Sequence, residues 1–507
     1  MAQSRTYNVI ANSFSGIVAS VISIVAAFVV RYFLSKTLGA EIYGINGLFN
    51  SIIATMLIME IGISSAVVIH LYGPIASGDK KLVAQIIGYY RKMYTVLCLC
   101  LWCVGIILTF TILKDFVHST IGINVVRYYF VILLVGITSK YFFSYKRAIL
   151  YADQKNRVCA WADSGVNVCF SAIEVLVIVL WQRYDLFLVS RILQYFVANY
   201  ICIKYVNRHY PYLQKIRENA LDQQSKHKIF DTLKPLFVQR ISGTIQDTSV
   251  GLLIGLLGKS VVYIGMFSNY QMIMQGAQTV FSQCGGALTS SFGNLNAEDT
   301  SKLYSAYNKT RAVFGFIIGV IVICFFNLSQ EFIFLVFGGD YLFDLFTLGL
   351  ITVYLYVMLS NVLIISIQNA LGLHRLDAKM MVVQTVVMVV LAWLLGREWG
   401  INGILFGCII PLVCFTTLYK NKVVLRYIYL KAFGHYVRRF VVDTIKITVA
   451  IIATYLIVAR IPLPVSVGGF ILKVLIVGVM GVSVMMLMNI HQIKLYYGWL
   501  TAHFNHK

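Results

Sequence analysis

Charge is scarce in this chain. Only 12% of its 507 residues are Asp, Glu, Lys or Arg, about half the ~25% usual in soluble proteins. Acids are scarcer than bases, 20 against 42, which leaves a formal net charge of +22. A soluble chain of this length needs polar faces on its helices, and here most segments are apolar all round. Signatures of several chemistries are missing too. No G-x-x-x-x-G-K-[ST] sequence occurs, so nucleotide hydrolysis by a P-loop is disfavoured. The His residues are scattered without metal-ligand spacing, and neither a metal nor a cofactor is expected. The ten cysteines lie mostly in apolar runs. Cys100 and Cys103 form a C-x-x-C beside Cys98, but inside an apolar helix, whereas redox chemistry wants an accessible thiolate. No disulfide framework is implied. The first apolar run is too long for a signal h-region and lacks a small-residue cleavage site, so it is expected to remain as the first span.

What the chain does have is hydrocarbon: 59% of residues are hydrophobic and the mean hydropathy is +0.79. A span needs about 20 apolar residues, and by that ruler there are roughly fourteen. They lie near 11–34, 42–70, 93–113, 125–145, 158–181, 186–206, 235–257, 262–290, 311–328, 345–370, 379–396, 400–419, 441–460 and 465–489. The fold class is therefore an all-α polytopic membrane protein. Basic residues crowd alternate loops: Lys80, Lys81, Arg91 and Lys92 after span two, Lys146, Arg147, Lys155 and Arg157 after span four, and six cations after span twelve. The intervening loops are poor in them. This alternation satisfies the positive-inside rule with both termini cytoplasmic. The excess charge thus marks topology, and no nucleic-acid partner is expected.

The polar, basic stretch 208–234 separates six spans on each side, with a final pair after them. The expected organisation is an N-terminal six-helix lobe over 1–207, a cytoplasmic linker over 208–234, a second six-helix lobe over 235–425, and spans thirteen and fourteen with a tail over 426–507. The halves look alike at an offset of about 220 residues, as a parallel repeat about an axis along the membrane normal would. Asp79, Lys81 and Leu82 match Asp299, Lys302 and Leu303. LGAEIYGINGLF from Leu38 is echoed, at another register, by LGREWGINGILF from Leu395.

The few charges that do fall inside apolar runs are the most informative residues. Arg31, Glu60, Lys140, Asp163, Glu174, Arg240 and Asp247 all do so. A charge at membrane depth costs at least ~2.5 kcal/mol and is tolerated facing other helices or a wet cavity. Polar stripes at helical spacing accompany them in spans one, two, five, seven, eight and ten. Buried cations suit an anionic cargo: a pyrophosphate is bound bidentately by Arg and as a point charge by Lys. Arg31, Lys140 and Arg240 are the candidates, with Arg147 at the cytoplasmic mouth; Arg31 and Arg240 also lie near enough to span ends to snorkel. Amides both donate and accept, which suits sugar hydroxyls; Asn46, Asn50, Asn167, Asn269, Gln271, Gln275, Gln278 and Gln368 are the candidates. Glu60, Asp163, Glu174 and Asp247 serve either to bind a coupling cation, H+ or Na+, or to balance the arginines. The alternative for any single small or amide residue is helix packing in lipid.

Four segments in order carry a resemblance: EIGISSAVVIHLYGPIASGDKKLVAQIIGYYRKMY from Glu60, SYKRAILYADQKNRV from Ser144, YIGMFSNYQMIMQG from Tyr263 and SSFGNLNAED from Ser290. They resemble bacterial polysaccharide repeat-unit flippases, of the O-antigen and capsule type, in the multidrug/oligosaccharidyl-lipid/polysaccharide exporter superfamily. The resemblance runs from residue 5 to about 420 and is weaker over the last two spans. It implies two six-helix lobes in a V shape with extra C-terminal helices. It also implies movement of an undecaprenyl-pyrophosphate-linked oligosaccharide from the inner to the outer leaflet of the cytoplasmic membrane, by alternating access. Partners would then be the lipid-linked substrate, the phospholipid membrane and other polysaccharide-assembly proteins. The resemblance assigns the pyrophosphate to cationic cavity residues, which Arg31, Lys140 and Arg240 match here.

Two rivals stand against this. A drug or metabolite antiporter of the same superfamily would favour acidic, aromatic cavity walls over buried cations. A membrane glycosyltransferase or polymerase would need a sizeable outer loop, and the longest here, near 329–344, offers Glu331, Asp340 and Asp344 without an acid–base pair. The expected protein is a transporter and not an enzyme.

Overall fold

The computed structural model describes residues 5–111, 113, 120–153, 155–213, 221–257, 261–298, 300–371, 373–428, 432–462 and 464–489. Hydrocarbon offers the backbone no hydrogen-bond partners, so an apolar run of span length satisfies its own N–H and C=O groups as a helix. The described residues are accordingly helical almost throughout, with no strand among them. The helices are α1 (Arg5–Met56), α2 (Ile58–Ser77), α3 (Lys80–Thr111), α4 (Ile123–Ser144), the short α5 (Ala148–Ala152), α6 (Asn156–Trp181), α7 (Tyr184–His209), α8 (Gln223–Leu256) and α9 (Val261–Glu298). There follow α10 (Thr300–Phe337), α11 (Leu345–Ser360), α12 (Val362–Leu371), α13 (His374–Pro411), α14 (Asn421–Ile428), α15 (Ala432–Val458) and α16 (Val467–Met488).

Each of the fourteen expected runs falls on helical backbone, although helices and spans do not correspond one to one. Spans one and two share α1, which turns a corner at Gly39 (φ 84°, ψ 168°). Spans eleven and twelve share α13, which turns at Gly400 (φ 59°, ψ −135°). Both conformations are open to glycine and strained for any other residue. Conversely, span two is interrupted at Leu57 and span ten at Asn361. Past Pro411, which lacks the N–H that would continue an α-helix, residues Leu412–Lys420 wind as a π-helix.

The chain divides into two compact units, Met1–Ser268 and Asn269–Lys507, and the division falls within α9. The polar stretch 208–234 lies in the first unit. Its second half is helical, forming the first turns of α8 from Gln223, and residues 214–220 lie outside the described residues.

In the first unit α1 packs along α6, α4 along α7, and α8 against α1 and α2. Small hydroxyl residues allow the close approaches: Ser164 Oγ donates to the Ala19 carbonyl at 3.1 Å, and the Thr55 and Thr248 hydroxyls meet at 3.0 Å. In the second unit α10 packs against α11, α15 and α16. The outward side of α15 is a stripe of Val441, Ile445, Val449 and Ile452, each at least half exposed. On a soluble protein such a surface would aggregate; around a membrane protein it faces lipid.

Candidate functional site

The break in span two sets Glu60 apart. Helix α2 restarts at Ile58, and Glu60 occupies its first turn with its N–H on the Leu57 carbonyl at 3.0 Å. A helix N-terminus carries partial positive charge, which favours a carboxylate there. From α3, the Tyr94 hydroxyl donates to Glu60 Oε1 at 2.6 Å, and the Tyr90 hydroxyl donates to Tyr94 at 2.7 Å. Both tyrosines are 2% exposed, and Tyr141 of α4 lies 5.8 Å from the Tyr94 ring. The result is a carboxylate in mid-span at the end of a chain of buried hydroxyls. The sequence singles out Glu60 as a charge; Tyr90 and Tyr94 fall within the segment that begins at Glu60, but no local spacing pairs them with it.

Two other acidic candidates of the first unit, Asp163 and Glu174, are paired with arginines. Along α6, residues Asp163, Asn167 and Glu174 share the face turned to α7. Buried Arg147 pairs with Asp163 (Nη2–Oδ2 2.5 Å) and donates to Asn199 Oδ1 at 3.3 Å. Asn167 Oδ1 accepts from Gln194 at 3.0 Å. Glu174, 3% exposed, pairs with Arg191 at 3.4 Å. Arg191 is a functional candidate that the charge pattern passes over, although it too lies inside an apolar run. Each pairing sets a cation against a carboxylate of α6. Arg147 thus stands beside a carboxylate in this structure, and Asp163 and Glu174 each have an arginine partner.

Arg31, half-buried on α1, donates to the Ser268 carbonyl at 3.0 Å. Asn46, on the far side of the Gly39 corner, is buried and accepts from the Tyr184 hydroxyl at 3.1 Å. Asn50 is half-buried and Asp247 is accessible on α8. The backbones of Lys140 and Arg240 belong to α4 and α8, while their side chains lie outside the described residues. In the second unit Asn269 and Gln368 are buried, Gln368 donating to the Leu373 carbonyl at 3.4 Å. Gln271 and Gln278 are half-buried, and Gln275 is exposed. Two of the three carboxylates of the longest expected outer loop have structural work: Glu331 pairs with Lys473, and Asp344 caps α11.

The SYKRAILYADQKNRV segment forms the turn between α4 and α6. Lys146 donates to Asn207 at 2.7 Å, and Asp153 receives both Lys155 (2.8 Å) and the Tyr210 hydroxyl (2.5 Å). Burial, then the Asp153 hydrogen bond, raise the Tyr210 phenol far above its ordinary range. Burial and the neighbouring Arg91 pull the Lys146 ammonium below its own. This motif clamps the ends of α4, α6 and α7 together.

No protein-family model matches the sequence, and no curated protein matches it. Among solved structures, the chain is similar to an inward-facing multidrug resistance MATE family transporter of the MOP superfamily, at 15% identity over 81% of this chain and 98% of that one, TM-score 0.67. It is similar to a point mutant of the Vibrio cholerae MATE transporter VcmN, at 11% identity over 85% and 97%, TM-score 0.57. It is also similar to the lipid II flippase MurJ in an inward closed conformation, at 15% identity over 96% of this chain and 100% of that one, TM-score 0.65. The protein is thus an all-helical, multi-pass membrane protein with the fold of MOP superfamily transporters and flippases.

Proposed function

We propose that this protein is a flippase that carries undecaprenyl-pyrophosphate-linked oligosaccharide repeat units from the cytoplasmic to the outer leaflet of the inner membrane, by alternating access, for surface polysaccharide assembly. The observation that carries this is the extent of the likeness to a lipid-linked-substrate flippase, 96% of the chain against 81% and 85% for the two MATE transporters. The difference is about the size of the C-terminal segment 426–507. The ordered motifs from Glu60, Ser144, Tyr263 and Ser290 point the same way. In this proposal Arg31, Lys140 and Arg240 hold the pyrophosphate, and both termini are cytoplasmic. Arg147, already paired with Asp163, orders the turn at the cytoplasmic mouth. Glu60, joined through Tyr94 to Tyr90, exchanges the coupling proton.

A drug antiporter is the alternative, favoured by the TM-score of 0.67 to a multidrug transporter. Sealed vesicles loaded with a fluorescent lipid-linked oligosaccharide separate the two. The flippase moves the probe between leaflets and leaves organic cations alone. Unchanged flipping by a stably inserted R31A/K140A/R240A variant would remove the cationic site from the mechanism. Transport of organic cations without lipid movement would favour the antiporter.

A further inference from the structure

A basic recess lies in the second unit, and none of the residues assigned above to transport lines it. It is bounded by the N-terminal half of α10, the first half of α15 and the end of α16, and lined by Asn308, Arg311, Arg439, Asp443, Lys446 and Asn489, with Gly315, Ile447 and Met485 as its apolar lining. Its geometry follows from the helix directions. Residues from the N-terminal half of α10 and from the first half to the middle of α15 meet the C-terminal end of α16. Arg311 pairs with Asp443 (Nη2–Oδ2 2.5 Å) and stands over the Tyr436 ring at 5.5 Å. Lys446 donates to the Met488 carbonyl at 2.8 Å, a cation placed on the negative end of a helix. Arg439 is at the exposed rim and donates to Asn308 at 3.2 Å.

Three cations thus face one carboxylate. The Arg311–Asp443 pair is neutral, and the end of α16 offsets part of Lys446, which leaves Arg439 and the remainder of Lys446 as a local positive field. Position fixes the ligand class. Arg311 opens the apolar run 311–328, Arg439 stands two residues before the run 441–460, and Asn489 ends the run 465–489. Asp443 and Lys446 lie just inside the run 441–460, so the recess reaches from headgroup level into the edge of the hydrocarbon, beside the lipid-facing stripe of α15 from Val441 to Ile452. Basic pockets between transmembrane helices at that depth take phosphate headgroups, with the acyl chains on the apolar surface below.

We propose that this recess is a binding site for an anionic glycerophospholipid, its phosphate held by Arg439 and Lys446 and its chains lying along α15. The site tethers the C-terminal helix pair to the bilayer. It is independent of the flippase proposal, and either stands if the other fails.

The test is native mass spectrometry of the full-length protein titrated with phosphatidylglycerol or phosphatidylcholine. Phosphatidylglycerol is expected to bind saturably and more tightly. R439Q should weaken it about fivefold, the worth of one cation near a charged surface, and R439K should retain it. R460Q, in the turn just past the opposite end of α15, should change nothing. An equal loss in R460Q, or equal binding of the two lipids, overturns the site. Displacement by glycerol 3-phosphate at matching concentration would make it a soluble-phosphate site, and displacement by farnesyl pyrophosphate a cargo site; either overturns the phospholipid assignment.

Discussion

Tyr94 donates its hydroxyl proton to Glu60 across 2.6 Å, from one helix to the restarted end of another. Tyr94 in turn accepts from Tyr90, so the three groups have one consistent direction of donation. If Glu60 exchanges the coupling proton, E60Q should keep the acceptor and the packing but lose titration. Transport by E60Q is expected to fall at least about tenfold, the effect of about 1.4 kcal/mol on a barrier, with a flattened pH profile. Y94F removes one hydrogen bond and should retain the profile at reduced rate. Flipping measured in vesicles between about pH 5.5 and 8.5, on either side of neutrality, checks both. An E60Q protein with wild-type rate and pH dependence would reduce Glu60 to a packing residue.

The Glu174–Arg191 pair gives a stability prediction. Removing one member of a buried ion pair leaves an uncompensated charge, costing about 3–5 kcal/mol, whereas replacing both by apolar residues is often neutral. E174Q alone should therefore lower the unfolding temperature in detergent clearly, and E174L/R191M should recover most of the loss. If the double variant is worse than the single one, the pair contributes through something other than mutual neutralisation.

These pairs show which features a sequence can carry. Span positions can be read because bilayer thickness sets run length, and the described residues of the fourteen runs are almost all helical. The charges are legible as exceptions to hydrocarbon. Their partners are not: Arg147–Asp163 and Glu174–Arg191 join helices across intervening turns, and no local spacing encodes that. The breaks at Leu57 and Asn361 are invisible because neither residue is Gly or Pro. At Asn361 the side chain donates to the Val357 carbonyl (2.9 Å) and Thr417 Oγ1 (3.1 Å), a tertiary arrangement. The echo of LGAEIYGINGLF in LGREWGINGILF corresponds to two helix corners. The corner glycines, Gly39 and Gly400, do not align within it. The asparagines do: Asn46 meets the Tyr184 hydroxyl and Asn402 the Thr347 hydroxyl at 2.7 Å.

Asp344 supplies a pH prediction outside the spans. Its carboxylate caps α11, accepting from the Phe346 and Thr347 N–H groups at 3.2 and 3.3 Å and from the Thr347 hydroxyl. The Thr347 hydrogen bond leads in lowering its pKa below the ordinary carboxylate value. A depressed carboxyl stabilises the fold above its unfolded pKa, and that contribution is lost as pH falls through the folded one. D344A should therefore cost about 0.5–2 kcal/mol near neutral pH, the range for N-cap loss. The gap from wild type should close below the normal carboxylate range. Thermal unfolding of both proteins at about pH 7 and about pH 3, on either side of that range, reads this directly. A gap that persists unchanged in acid would assign the loss to packing.

The corners themselves can be tested separately from any transport role. Gly400 sits at φ 59° and ψ −135°, a region in which a Cβ meets its own backbone. G400A should lower stability by about 1–3 kcal/mol, the usual cost of forcing a side chain into a sparsely populated backbone conformation. Gly39 has φ 84° and ψ 168°, and space around its Cα is open. Since nothing stands within 4 Å of a Cβ added there, any loss in G39A comes from backbone strain alone. Comparing G39A with A40G, the adjacent helical alanine, isolates that contribution. A40G should cost only about 0.5–1 kcal/mol, the helix-interior penalty of glycine. If G39A unfolds no more readily than A40G, α1 passes the corner in another conformation, and the division of α1 into two spans at Gly39 loses its physical basis.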